Sequence, residues 1–333
     1  MRAYGVGMAA RVRIPRTDLD VHPLCLGGNV FGWTADAETS SAVLDAYLAA
    51  DGDFVDTADS YTWRVEGNSG GDSERVLGDW MAARGVRDRV VVATKVGSWP
   101  ERPGLSPDNV RAACEDSLRR LRTDHIDLYY AHRDDPDTPV EEMLAGFDEL
   151  VRAGKVRYVG LSNYSAQRLT AVLTVAERDG LVRPVALQPH YNLLERAVYE
   201  DELAEVAASA DLGVMPYFAL AKGFLTGKYR PGDTPPDTSG PMASARAGGA
   251  VAYLDERGTR VLGVLDEVAA AHGVAVAAVA LAWLAAQPTV TAPIASARSV
   301  DQLATILPMA ELTLASDELA ALTEASEDTR LDA

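Results

Sequence analysis

Eight short runs rich in valine, isoleucine and leucine recur along the chain, and their recurrence constrains the fold more than any other feature. They are LCLGG from Leu24, FVDTA from Phe54, VVVATK from Val90, IDLYYAH from Ile126, VRYVGLSN from Val156, VALQP from Val185, GVMPY from Gly213 and VTAPIA from Val290. Apolar residues fill them almost continuously, as in parallel strands covered on both faces. Amphipathic stretches with helical spacing lie between them: Ser40 to Ala50, Ser73 to Arg84, Pro107 to Leu121, Pro139 to Arg152, Ser165 to Asp179 and Tyr199 to Ala210. Strand and helix alternating over eight units predict an α/β protein, a closed (β/α)8 TIM barrel. An open doubly wound sheet needs fewer strands and usually carries GxGxxG after the first, where this chain reads Gly27-Gly28-Asn29-Val30-Phe31-Gly32.

One barrel accounts for the 333 residues, so residues 1–333 are read as a single domain. Ser106, Pro107 and Asp108 form a helix start, with a capping hydroxyl, proline in the first turn and an acid against the helix dipole. Before the first strand, RVRIP and DLDVHPL flank Arg16-Thr17-Asp18 and predict a short β-hairpin that plugs the barrel bottom. The interval from Lys222 to about Leu254 follows the seventh run, is rich in Gly, Pro and Ser, and is too long for an ordinary connection. It is expected to be a long loop, a lid over the barrel mouth.

Charge and composition remove several functions. The net charge of −18 offers no clustered positive field for a phosphate backbone, which argues against nucleic acid. No uncharged apolar run nears the roughly 20 residues that span a bilayer, and MRAYGVGMAARVRIPR lacks the apolar centre of a secretory signal. The expectation is a cytoplasmic protein with no membrane partner, a monomer or a homo-oligomer. Cys25 and Cys114 form no CxxC pair and read as buried thiols; His22, His125, His132, His190 and His272 hold no HExxH, so no metal is expected. Gly223 to Lys228 imitates a phosphate loop but has three residues between its glycines and Tyr229 where Ser or Thr would bind magnesium.

Barrel enzymes build their sites at the C-terminal ends of strands, so the polar residues that close each run are the informative ones. Run two ends in Asp56 with Tyr61 in its loop, run three in Lys95, run four in His132, run five in Ser162-Asn163 and run six in Gln188. Asp56 and Lys95 are expected to face one another as an ion pair near a partly buried rim. A phenol titrates near 10 in water, so a tyrosine acting as proton donor near neutrality needs a cation beside it. Lys95 supplies one, Asp56 holds the ammonium, and His132 reaches the same substrate oxygen. This is the equipment of a general acid for carbonyl reduction.

DTADSY at Asp56 to Tyr61, ATK at Ala93 to Lys95, DLYYAH at Asp127 to His132 and GLSN at Gly160 to Asn163 together resemble the motifs of the aldo-keto reductase family, including its potassium-channel β-subunit-like members. Gly71-Asp72-Ser73-Glu74, Leu187-Gln188-Pro189, the Gly223 to Tyr229 stretch and Gln302-Leu303 fall in the family's order. The resemblance implies an NADPH-dependent reductase of aldehydes or ketones whose tetrad is Asp56, Tyr61, Lys95 and His132, with Tyr61 the proton donor. It also implies that Ser162, Asn163 and Gln188 bond the nicotinamide carboxamide and that Tyr217 stacks on the ring. Phe218, Ala219, Leu220, Ala221 and Lys222, with Lys228, would then line the pyrophosphate. Ser296, Arg298 and Gln302 would meet the adenosine end, and Gly28 and Asn29 complete the implied cofactor contacts. An arginine at 298 pairs with a 2′-phosphate and favours NADPH.

The chain departs from the family pattern at Phe218-Ala219 in place of Ser-Pro, at Ala295-Ser296 in place of Pro-Gly, and at Thr305-Ile306 in place of Glu-Asn, which removes two polar groups from the expected adenine contact. Val30, Phe31, Trp33, Trp63 and Trp99 are the candidate substrate pocket, an aromatic lining for a small-molecule carbonyl. The alternative is an NADPH-sensing regulatory subunit with little turnover, because channel β subunits resemble this chain; those subunits carry asparagine at the place of His132. A Schiff-base enzyme on Lys95 is a third reading, and it leaves Tyr61, Ser162-Asn163 and Arg298 without roles.

Overall fold

The computed structural model describes residues 10–232 and 244–327. All eight apolar runs become neighbours in one parallel sheet: β1 (Cys25–Gly27), β2 (Phe54–Asp56), β3 (Val91–Val96), β4 (Ile126–Ala131), β5 (Val156–Ser162), β6 (Ala186–Gln188), β7 (Gly213–Val214) and β8 (Ile294–Ala295). β8 pairs with β1, and Val290 ahead of it bridges Val214 of β7, so the sheet closes on itself as a barrel. Closure removes both sheet edges and lets every strand bury two faces.

The helices wrap the outside: α1 (Ala37–Ala49), α2 (Asp72–Arg84), α3 (Pro107–Leu121), α4 (Val140–Arg152), α5 (Ala166–Asp179), α6 (Ala197–Glu200), α7 (Leu203–Ser209), α8 (Ser244–Val251), α9 (Glu256–His272), α10 (Val276–Ala285), α11 (Val300–Ile306) and α12 (Ser316–Ala325). The Ser106 hydroxyl accepts from Asn109 N with Pro107 in the first turn, as the sequence requires. The expected helix from Tyr199 to Ala210 divides instead into α6 and α7 at Asp201–Glu202. The interval after β7 is not one long loop. Ala221–Thr226 is a 3-10 turn and α8 is a helix laid beside it, while residues 233–243 of the expected lid lie outside the described residues.

Two cores result from the alternation of side chains along the strands. Leu26, Val55, Val92, Tyr129, Val159, Leu161, Leu187 and Val214 point outward beneath the helices. Cys25, Phe54, Ala93, Leu128, Tyr130, Ala186, Met215 and Ile294 fill the barrel lumen. At its lower end the lumen is closed by a hairpin of Val12–Arg13 against Asp20–Val21, whose Ile14, Leu19 and Val21 join the lumen core. Both cysteines are buried and free. No single helix among the described residues is long and apolar enough to cross a membrane.

Candidate active site

The same alternation decides which polar residues face inward. On β2, Phe54 faces the lumen, Val55 the helices, and Asp56 therefore the lumen again; on β3 the sequence Val91, Ala93, Lys95 does likewise. Leu128 and Tyr130 put His132 in the lumen register of β4, and Ala186 puts Gln188 there on β6. The strand-closing residues thus converge as one ring at the barrel mouth, because each stands two or four residues beyond an apolar lumen residue.

At its centre is the Lys95 ammonium, wholly buried, which gives its three protons to Asp56 Oδ2 at 2.6 Å, the Thr57 carbonyl at 2.7 Å and Tyr61 Oη at 2.7 Å. Tyr61 in turn donates to Asp56 Oδ2 at 3.1 Å. Gln188 Nε2 donates to the other carboxylate oxygen, Asp56 Oδ1, at 2.9 Å. Burial pulls the Lys95 ammonium below its ordinary value and Asp56 opposes it. Burial, then the Asp56 charge, pushes the Tyr61 phenol well above its ordinary value. The lysine therefore does not make Tyr61 acidic in the resting site. It makes the phenolate tolerable once a proton departs, since Tyr61 Oη already accepts its hydrogen bond.

His132 stands edge-on to the Tyr61 ring, centroids 6.0 Å apart, with Nδ1 3.4 Å from Ser60 Oγ. Burial and the charges of Lys95 and Arg133 hold its pKa well below 6.5, so it is a neutral imidazole. Beside it, Asn163 takes the left-handed conformation at φ 59°, donating to the His132 carbonyl at 2.9 Å and to Ser162 Oγ at 3.0 Å. Tyr217 Oη closes this arc by donating to Asn163 Oδ1 at 2.7 Å.

Past β7 the backbone enters the left-handed region repeatedly, at Phe218, Ala221, Lys222 and Gly223. Three of these carry side chains, and each such residue costs of order 1–3 kcal/mol. Successive turns of this kind aim backbone N–H groups at one concavity, a shape that binds anions. Lys222 and Lys228 flank it, and neither pairs with a carboxylate among the described residues. Ala219 and Ala221 point their side chains into the core, so only their backbone is offered. Across the mouth Ser296 Oγ donates to Asn29 Oδ1 at 2.8 Å, and Gln302 Oε1 accepts from Arg298 N at 2.9 Å, which leaves the exposed Arg298 guanidinium free among the described residues.

A model of the Aldo/keto reductase family matches residues 23–327. The chain belongs to the aldo/keto reductase family. An uncharacterized oxidoreductase of Bacillus subtilis, YrpG, is 36% identical, covering 93% of each chain. A probable voltage-gated potassium channel subunit beta of Oryza sativa is 34% identical over 86% of this chain and 87% of its own. Norsolorinic acid reductase stcV of Emericella nidulans is 33% identical over 93% of this chain and 79% of its own. The protein is thus an aldo/keto reductase barrel and an oxidoreductase of a family that works with nicotinamide cofactors.

Within this aldo/keto reductase, some expected residues fall elsewhere. Val30 and Phe31 are shut inside the outer core, 1% and 0% exposed, and so are closed to a substrate at the mouth. Trp33, Trp63 and Trp99 are half-buried on mouth loops, where the expectation put them. Ile306 also faces the core, so the Thr305-Ile306 departure presents only exposed Thr305 at the surface, with its hydroxyl bonded back to the Gln302 carbonyl. Two contributors were missed: the Thr57 carbonyl, invisible to a reading of side chains, and His190, which stacks on Tyr217 at 5.3 Å and 14°. The Gln-Pro-His-Tyr after β6 was the available signal for His190.

Proposed function

We propose that this protein reduces aldehydes or ketones with NADPH, Tyr61 giving the proton to the carbonyl oxygen. The observation that carries the reading is the Lys95 ammonium shared among Asp56, Thr57 and Tyr61, with every proton used and one directed at the phenol oxygen. When a carbonyl oxygen arrives, the Tyr61 hydrogen that now points to Asp56 turns to it. As negative charge grows on that oxygen the proton moves across, and the phenolate left behind keeps the Lys95 hydrogen bond. Neutral His132, whose Nε2 has no partner among the described residues, supplies a second hydrogen bond to the same oxygen.

The residues at the mouth fit a nicotinamide dinucleotide. The left-handed run Phe218 to Gly223 with Lys222 and Lys228 suits a pyrophosphate, stacked Tyr217 suits a planar ring, and Asn163 with Ser162 and Gln188 suits a carboxamide. Gly28 and Asn29 line the same rim, the latter held by Ser296. Bound there, the reduced cofactor supplies the hydride. Arg298, exposed and without a carboxylate partner among the described residues, is the group that selects a 2′-phosphate.

The test is cofactor binding followed by turnover. NADPH and NADH are titrated separately by fluorescence, and nucleotide consumption is then followed with aromatic aldehydes, ketones and quinones. Tighter binding and consumption of NADPH is expected. Tyr61→Phe should bind NADPH as the wild type does and lose turnover by at least about a hundredfold, the usual size of a general-acid contribution. Undiminished turnover in that variant sinks the mechanism.

A further inference from the structure

One acid in the catalytic loop is not used by this chemistry. Strand pairing continues past β2: Thr57 N donates to the Ala93 carbonyl at 2.8 Å and Asp59 N to the Lys95 carbonyl at 3.3 Å. The side chains keep alternating, so Asp56 faces the lumen while Thr57 and Asp59 face the helices. Asp59 is 1% exposed, and both its carboxylate oxygens are buried without a hydrogen-bond partner. An ionised carboxylate in that state is far costlier than a neutral one.

Every cation around it is already engaged. Glu74 on α2 holds Arg120 of α3 at 2.6 Å and also accepts from Thr94 at 2.6 Å. Arg102, in the hairpin of Ser98–Trp99 against Arg102–Pro103, pairs with Asp116 at 2.8 Å. Lys95 on β3 belongs to Asp56. Tyr129 on β4 completes the surroundings with an unpartnered hydroxyl. Burial and then the Glu74 charge push Asp59 up to about 7, against Arg120, Arg102 and Lys95.

We infer that Asp59 is a positioning residue for Tyr61: neutral, it holds the catalytic loop against Lys95, and ionised, it draws the loop toward Arg102 and the Trp99 hairpin. Arg102 is the group that can answer a new charge, because its Nε is buried without a hydrogen bond while one Nη stays on Asp116. Trp99 reports the movement. Its indole Nε1 lies 3.0 Å from where a Cβ on Gly70 would stand, the Asp59 carbonyl lies 3.3 Å from the same point, and Arg102 lies 5.5 Å from the Trp99 ring. Asp59 precedes Tyr61 by two residues, so displacing it lengthens the already long bond to the Lys95 carbonyl and moves the phenol from the ammonium.

This inference rests on the proposed role of Tyr61, and its test separates the two. Neither Tyr61, which titrates well above 10, nor His132, well below 6.5, bends the rate in the neutral range. Wild-type kcat for an aromatic aldehyde should fall above about pH 7, approaching tenfold per pH unit. Asp59→Asn, fixed neutral, should show a rate independent of pH from 6 to 9; the same decline in that variant overturns the inference.

If no aldehyde is reduced at any pH, the reductase reading fails and Asp59 is judged by two readouts without turnover. Tryptophan emission should change between pH 6 and 9 in wild type, and the change should vanish in Asp59→Asn and in Trp99→Phe; an unaltered change in Asp59→Asn overturns the inference. The melting temperature gives the second. A carboxyl raised from 3.8 to about 7 in the folded state binds an extra proton between those values, so stability is complete at low pH and lost as pH rises through 7. The melting temperature of Asp59→Asn relative to wild type should therefore rise from pH 5.5 to pH 9, and a constant difference counts against it. Should Asp59→Asn not fold, Glu74→Gln removes the neighbouring negative charge and must move the bend in rate or emission to lower pH; an unmoved bend overturns the inference.

Discussion

At the scale of single residues, the site is organised by one lysine whose three protons are all spoken for. Its neighbours differ in what meets them in the interior: the Asp56 carboxylate is bonded by Lys95, Gln188 and Tyr61, whereas Asp59, three residues on, has none of these. Two buried carboxylates in one hexapeptide therefore sit in opposite surroundings, one fully bonded and one without a partner. The adenosine end offers the cleanest test of a single side chain. Arg298 is exposed with no carboxylate partner among the described residues, so Arg298→Ala removes no internal contact. The variant should lose about 2 kcal/mol of NADPH affinity, roughly thirtyfold, as a charged hydrogen bond to phosphate is worth. NADH binding should not change, and calorimetric titration with both nucleotides measures the difference.

Among the elements, α2 does most to fix the catalytic loop from behind. Its Ser73 hydroxyl donates to the Gly28 carbonyl at 2.7 Å and meets Thr57 Oγ1 at 2.8 Å, and its Glu74 reaches Thr94 on β3. The helix comes this close because Gly78 has no side chain. A Cβ there would stand 2.2 Å from the Arg120 carbonyl and 2.7 Å from Leu121 backbone atoms at the end of α3. Backbone on both sides cannot give way as a flexible side chain does, so Gly78→Ala must push α2 from α3. The expected loss is about 1–3 kcal/mol, the usual range for overpacking. Urea denaturation should show a lower midpoint with an unchanged slope.

Across the whole molecule, the barrel separates stability from chemistry by placing them at opposite ends. The hairpin plugs the bottom with Ile14, wholly buried, and the reactive residues ring the top. Ile14→Ala leaves a cavity in the lumen core and should cost about 2–5 kcal/mol. Because the mouth residues hang on closed strand pairing above that layer, kcat and KM measured well below the melting temperature should stay at wild-type values. A variant that lost activity in step with stability would show instead that the plug reaches the site through the lumen. The net charge of −18 bears on none of this, being spread over a surface laced with ion pairs such as Arg84–Asp45 and Arg168–Asp134.

The eight strands, their order along the chain and the ring of Asp56, Lys95, His132 and Gln188 were legible in the sequence, because period-two alternation is local and a residue's face follows from its neighbours. So were the hairpin and the Ser106 cap. Helix α10 was not, since it is apolar on every side and shows no amphipathic stripe; it is buried between α9 and α11. Nor could the sequence tell that Val30 and Phe31 turn into the core while Trp33, Trp63 and Trp99 stay at the mouth, for each is an apolar residue on a connection without helical periodicity, or that Ile306, closing the short helix α11, faces inward. The tertiary structure alone decided which charges find partners. Asp59 goes without a partner because Asp56, Glu74 and Asp116 have already claimed Lys95, Arg120 and Arg102, and that allocation is a property of the packed molecule.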